Sequence, residues 1–307
     1  MERFDTARAV DARKEEIVQK DKSEKILEDY NDVFADIYNV LVFDRKYLDE
    51  NGLEAGPTES IYKAEEGDLK EQRRDVLKTY HKQNFVICSL GIENQSIIDK
   101  YMPLRVMGYD YATYRSQLSN KKELMPTITI VLNFSDEEWN EATNLRALFD
   151  VRDELKEFVS DYCIKVFNVA FLEDDVIEKF TSDFRLVAKF FKKRRLGELD
   201  VMSDNQQEIK HIEAVLEMFR VFTQDERYEA DLVEKMINVK RKGDEVHMCI
   251  IAETLEQRGI KKGISQGRFE QLIENVEHLM ESQKCSLEKA CEMLGTTIQT
   301  YQEAKNI

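Results

Sequence analysis

The chain has 307 residues, with 61 acidic against 45 basic side chains and a formal net charge of −16. That length buries a sizeable core as one large domain or two small ones, and the acidity excludes a basic nucleic-acid coat while leaving room for a local basic patch. Only three prolines and 11 glycines argue for helix and against long structureless linkers.

The opening, MERFDTARAVDARKEE, is charged and has no apolar signal-like core. No apolar run approaches the roughly 20 residues that span a bilayer. The five cysteines, Cys88, Cys163, Cys249, Cys285 and Cys291, are odd in number, scattered and set mostly in apolar patterns. They read as reduced, buried residues of a cytoplasmic protein.

Residues 22–43 predict one helix, with Ile26, Leu27, Tyr30, Val33, Phe34, Ile37 and Leu41 on one face and Asp29, Asp32 and Asp36 on its flanks. A loop with Gly52, Gly56, Pro57 and Gly67 follows. RRDVLKTY (73–80) and FVICSLGIENQ (85–95), divided by HKQN, predict a β-hairpin, although the first also fits a helical turn. Residues 102–118 predict a helix with Pro103 in its first turn. TITIVLNF (127–134) and IKVFNVAFL (164–172) read as strands buried on both faces, with a polar, partly helical segment between them. An amphipathic helix then ends in KKRR (192–195).

Residues 205–307 predict helix nearly throughout. Glycines at 259, 263 and 267 each weaken a helix by about 1 kcal/mol, which suggests a flexible or close-packed joint. Thr296 and Gln299 have capping-box spacing in a terminal helix-turn-helix. Leu272, Val276 and Leu279 suggest a short coiled-coil seam. Its few basic residues make the tail a docking or oligomerisation unit ahead of a DNA-binding one. The expected architecture is a mixed α/β core with an all-α C-terminal extension.

The site prediction starts from the end of the second hairpin strand. Side chains alternate along a strand, so Glu93 and Gln95 share a face. If the hairpin forms, Asp75 comes beside Glu93. Two converging carboxylates need a cation, and an oxygen-only site with few protein ligands suits Mg²⁺ or Mn²⁺. The alternative is that both are ordinary acids at strand ends.

The run RRDVLKTYHKQNFVICSLGIENQS, followed by DKYMPLRVMGYDYATYRSQL and MPTITIVLNF, resembles the Rpn-type recombination-promoting nuclease and transposase family of the PD-(D/E)XK nuclease superfamily. The match rests on Asp75, the strand ending in Glu-x-Gln-Ser, Met-x-x-Arg with Tyr on the next helix, and the β-branched strand after it. Asp32-Val33-Phe34 fits the family's opening helix. The resemblance implies a restriction-endonuclease-like αββαβ core, a mixed sheet flanked by helices, over residues 22–195, with 205–307 as the helical extension.

It further implies a metal-dependent DNA endonuclease linked to recombination or mobile elements. Asp75 and Glu93 would hold the Mg²⁺, and Gln95 would stand where the wider superfamily carries a Lys. Gln offers hydrogen bonds without charge. Asp32 is a further candidate ligand, against a plain solvated helix face. Arg74, in the place of a Pro, ties down a carboxylate or a phosphate. Arg105 and Arg115 are candidate phosphate contacts, with Arg105 equally able to pair with Glu93. Lys192, Lys193 and Arg194 are candidate DNA contacts against the reading of a solvated helix end. The competing function is a nuclease-fold protein without catalysis that binds partners or self-assembles through its tail.

Overall fold

The computed structural model describes residues 23–57, 59–63, 69–83, 85–120, 123–223, 228 and 230–305. The chain divides into two compact units, 1–248 and 249–307. The sequence-based boundary fell at 195–205; the helices over 212–241 belong with the first unit.

The expected long helix is two. Residues 23–28 form α1 and Asn31–Leu41 form α2, with Tyr30 in extended backbone at φ −70° and ψ 129° between them. Tertiary contacts hold the break open. Lys78 Nζ donates to the Asp29 carbonyl at 2.6 Å and lies 3.2 Å from its carboxylate. The Asn31 amide donates to the carbonyls of Glu50 and Leu53, and Tyr30 stacks on His211 with ring centroids 3.7 Å apart.

Among the described residues seven strands follow the general plan with additions. They are β1 (Leu53–Ala55), β2 (Glu59–Lys63), β3 (Leu69–Arg73), β4 (Val76–Lys82), β5 (Phe85–Gln95), β6 (Thr127–Asn133) and β7 (Lys165–Asn168). β2 and β3 form their own two-stranded ribbon where a loop was expected. The main sheet runs β1-β4-β5-β6-β7. β4 pairs antiparallel with β5, as the hairpin prediction required, while β5 pairs parallel with β6 across helix α3 (Met102–Ser119). β7 stops at Asn168 because Val169–Phe171 turns into a 3₁₀ helix, so the second apolar run is only half strand. Between β6 and β7 the segment carries only two short 3₁₀ turns.

Helices cover both faces of this sheet. The strand residues Leu90, Ile92, Ile130 and Leu132 are fully buried, as are Phe34, Ile37 and Tyr38 of α2. Tyr38 Oη lies 2.6 Å from the Gly91 carbonyl and 2.9 Å from that of Ile128, pinning α2 to β5 and β6. Met102 and Val106 of α3 pack with Val131 and Ile164. After the short α4 (Asp174–Ile177), α5 (Phe184–Leu196) and α6 (Ile212–Thr223) close the core with Phe134, Phe191 and Phe222 in mutual ring contact. Gly197, at φ 72°, ends α5 in the left-handed cap that glycine favours. Helix α7 (Ala230–Arg241) completes the described part of this unit.

The second unit comprises α8 (Met248–Gln283) from Cys249 onward, α9 (Leu287–Met293) and α10 (Ile298–Lys305). α8 is continuous through the glycine-spaced stretch. A Cβ at Gly259 or Gly267 would meet nothing within 4 Å, so neither serves close packing. Leu272, Val276 and Leu279 pack against Ala290, Cys291 and Tyr301. The supposed coiled-coil seam is therefore the core of this small unit. The α10 cap is Thr297, whose Oγ1 accepts from the Thr300 N–H at 3.1 Å, rather than Thr296. All five cysteines are free; Cys88 and Cys291 are buried, but Cys163 is exposed. Among the described residues no helix is long and apolar enough to cross a membrane.

Candidate active site

β5 is the strand at which the sheet changes from antiparallel to parallel pairing. In open α/β sheets ligands gather in crevices outside the carboxyl ends of the strands. Glu93, Asn94 and Gln95 occupy that end and all three are buried.

Asp75 stands immediately before β4 and does come beside them: its Oδ2 accepts the Asn94 backbone N–H at 2.7 Å. Its other oxygen lies 2.7 Å from Lys25 Nζ of α1. Alternation along β5 sends Gly91 and Glu93 toward α3 and Asn94 toward α1. Glu93 Oε1 accepts from Arg105 Nη2 at 2.6 Å, with Tyr109 Oη at 3.4 Å. Arg105 also donates to Asp99 at 3.0 Å. On the other side, Asn94 Nδ2 donates to Glu28 Oε2 at 2.7 Å.

The carboxylates are poorly satisfied for their burial. Glu93 Oε2 and Glu28 Oε1 are buried without a hydrogen-bond partner. Burial first, and the charge of Asp75 second, push the Glu93 carboxyl up to about 8, against the pull of Arg105, Arg74 and Lys25. Glu28 is raised well above the carboxylate range by burial, with Asp75 and Glu93 adding to the rise. An acid pocket that cannot comfortably ionise by itself lacks positive charge, and perturbed carboxyls of this kind cluster at functional sites.

Beneath the pocket lies a buried polar network. Arg74 Nη2 donates to Asp110 Oδ1 at 2.8 Å, Thr129 Oγ1 donates to the same oxygen at 2.6 Å, and the Tyr162 hydroxyl donates to Asp110 Oδ2. The guanidinium crosses β5 at Gly91, where a Cβ would stand 2.7 Å from Arg74 Nη1. Only glycine leaves that passage open.

Several predicted roles change. Arg74 ties down a carboxylate, that of Asp110, and its side chain is 3% exposed. Asp32 does not join the acids; its oxygens lie 2.9 and 3.1 Å from His211 Nε2. Gln95 turns its amide to the Asn94 carbonyl. Arg105 takes the Glu93 pairing. Arg115 is exposed on α3 beside the Tyr111 ring. Lys192 binds Asp174 and the Leu172 carbonyl, Lys193 binds Glu198, and Arg194 binds Asp136 while lying over Phe191 and Phe222.

Sequence reading missed Glu28, Lys25 and Asp110. Glu28 sits next to Leu27 of the apolar stripe, but a continuous helix phases it outward. The break at residues 29–30 resets that phase and turns Lys25 and Glu28, three apart, toward the strand ends.

A cleft of about 520 Å³ opens beside Asp75, lined also by Lys25, Ile26, Asp29, Tyr30 and Gly56. A larger cavity of about 590 Å³ adjoins Asp32, Asp36 and Lys179 and includes none of Asp75, Glu93 or Glu28. Among the described residues no three His, Cys, Asp or Glu side chains form a ready cage for a metal ion.

The family model described as "Putative transposase, YhgA-like" matches residues 58–225, more than half of the chain. No curated protein and no solved structure matches.

Proposed function

We propose, for a chain that belongs to the YhgA-like putative transposase family, a family of the PD-(D/E)XK and Rpn type, that it is a metal-dependent DNA endonuclease. In this reading the mixed sheet with its flanking helices is a restriction-endonuclease-like core. The observation that carries it is the buried, unpartnered Glu93 Oε2 beside Asp75 at the end of the switch strand.

The donor set fits a hard divalent cation. Asp75 and Glu93 themselves offer only oxygen atoms, and one or two carboxylates completed by water and phosphate are how Mg²⁺ is usually held. Asp75 and Glu93 are thus the residues that would hold Mg²⁺ or Mn²⁺, whose chemistry when bound is to acidify water and offset phosphate charge. Glu28, whose carboxyl burial holds well above its ordinary range, fixes the strand end through Asn94. Tyr109 and Arg105 orient Glu93 Oε1. Asn94 holds Asp75 through its backbone N–H. The DNA backbone would enter by the cleft beside Asp75.

Cleavage of supercoiled plasmid with Mg²⁺ or Mn²⁺ tests the proposal, with Glu93→Ala prepared in parallel. Nicking by the native chain that is lost in the variant and in EDTA supports it. Equal nicking by both proteins sinks the site. A second reading, a nuclease-fold protein that binds partners without catalysis, is favoured by the ion pairs of Lys25 with Asp75 and of Arg105 with Glu93. No cleavage by the native chain under any metal would establish that reading instead. Recombination or upkeep of mobile elements is the setting that the family suggests for either activity.

A further inference from the structure

We infer that Lys25 of α1 is the cation that contacts the scissile phosphate, taking over from helix α1 the charge that Gln95 does not bring to β5. The inference rests on the nuclease reading above and names the residue that reading lacks.

A phosphodiester entering the cleft beside Asp75 brings negative charge up against its carboxylate. Fixed positive groups aimed at the developing oxyanion are among the strongest contributions to such reactions. Gln95 supplies none, and its amide is engaged by the Asn94 carbonyl. The neighbouring cations have other tasks. Arg74 is buried on Asp110, and Lys78, with its side chain 3% exposed, is held by Asp29. Arg105 spans Glu93 and Asp99 on the α3 side of the sheet.

Lys25 differs from Arg74 and Lys78 in exposure, and from Arg105, which is equally exposed, in place. Its ammonium lies 2.7 Å from Asp75 Oδ1, its side chain is 37% exposed, and it lines the cleft that opens beside Asp75. A lysine is a compact charge on a flexible four-carbon stem with three donors, so it can follow a phosphate oxygen while remaining near the acid. The helix break at residues 29–30 delivers it there. Because α1 ends at residue 28, Lys25 and Glu28 face the ends of β4 and β5 rather than continuing the face of α2.

In the hydrolysis, a water oxygen forms a bond to phosphorus and the bond from phosphorus to one sugar oxygen breaks. One proton of the water passes to solvent, and the departing sugar oxygen takes a proton from solvent. Lys25 stays protonated throughout and donates N–H to a non-bridging phosphate oxygen.

The test compares native protein with Lys25→Ala, Lys25→Gln and the double variant Lys25→Ala/Gln95→Lys. Plasmid cleavage is measured alongside Mn²⁺ affinity by calorimetry. Both single variants should lose about 100-fold or more in cleavage rate. Their Mn²⁺ affinity should hold or tighten, because a competing cation has left Asp75. The double variant should regain at least about tenfold over Lys25→Ala, since charge returns from the strand. Cleavage by both single variants within about threefold of native overturns the inference while leaving the nuclease reading intact. A fall that tracks weakened Mn²⁺ binding in both also overturns it, making Lys25 a structural partner of Asp75. A native chain that cleaves nothing removes the nuclease reading and this inference together.

Discussion

Two sets of buried acids in the first unit look alike by burial and differ in what serves them. Asp36 and Asp183 are buried at the α2–α5–α6 corner. Asp36 accepts the N–H groups of Thr181 and Ser182, both at 2.8 Å, and the Thr181 hydroxyl at 3.1 Å. Asp183 accepts the N–H groups of Lys210 and His211 ahead of α6. Glu28 and Glu93 each leave an oxygen with no donor. The corner acids replace lost hydration with backbone donors at helix starts, as capping requires. The strand-end acids do not. Burial of charge alone therefore does not mark a site here; unsatisfied burial does.

The largest expected effect breaks the corner. Asp183→Ala removes the acceptor of two backbone N–H groups and should cost about 2–5 kcal/mol, from about 1–3 kcal/mol per buried donor left unpaired. Urea unfolding reads this directly. Cleavage per folded molecule should stay at the native level. A fall in activity at unchanged stability would place Asp183 with the functional acids and collapse the contrast.

Titration sharpens the contrast from the other side. The Glu93 carboxyl goes from an ordinary 4.5 in the unfolded chain to about 8 in the folded one. Between those values the folded state holds more protons at this group, so the contribution of Glu93 to stability is fully present below about 4.5 and is lost as pH rises through about 8. The slope from such an acid is at most about 1.4 kcal/mol per pH unit. Glu93→Gln should flatten the profile of the metal-free protein and raise its unfolding midpoint above pH 8. The same protons compete with a metal, so Mn²⁺ affinity of the native chain should climb with pH up to about 8 and then level. A native unfolding midpoint that rises over this range would show that burial does not hold the Glu93 carboxyl up.

Much of this geometry was legible in the sequence. Apolar runs marked out β5 and β6, and the turn between residues 80 and 85 brought Asp75 to Glu93, because hairpin pairing leaves few alternatives. What escaped depended on contacts between distant segments. The break at Asp29–Tyr30 has no proline or glycine to announce it; it is held by Lys78, Asn31 and the stack on His211. Without the break, Glu28 and Lys25 cannot be placed. The end of β7 was hidden because Val169–Phe171 is as apolar as a strand, yet coils into a 3₁₀ turn. The partners of Asp32 and Arg74 lie 179 and 36 positions away, beyond any local pattern.

The smallest expected effect concerns the basic end of α5. Local charge made Lys192, Lys193 and Arg194 candidate DNA contacts, yet each is engaged within the fold by Asp174, Glu198 or Asp136. Arg194 is further committed, with its guanidinium 4.8 Å from the Phe191 ring centroid and 5.2 Å from that of Phe222. Basic residues in a last helical turn also complement the helix dipole, which accounts for the cluster without any ligand. A lysine that neutralises a DNA phosphate adds about 0.9 to the log–log slope of affinity against salt, and its removal takes that increment away. Lys192→Ala/Lys193→Ala should therefore leave that slope and the dissociation constant within about twofold of native, measured by fluorescence anisotropy in EDTA across a salt series. A slope lower by nearly two would mean that these lysines exchange their internal carboxylates for phosphate. The DNA path would then run over α5 as well as through the cleft beside Asp75.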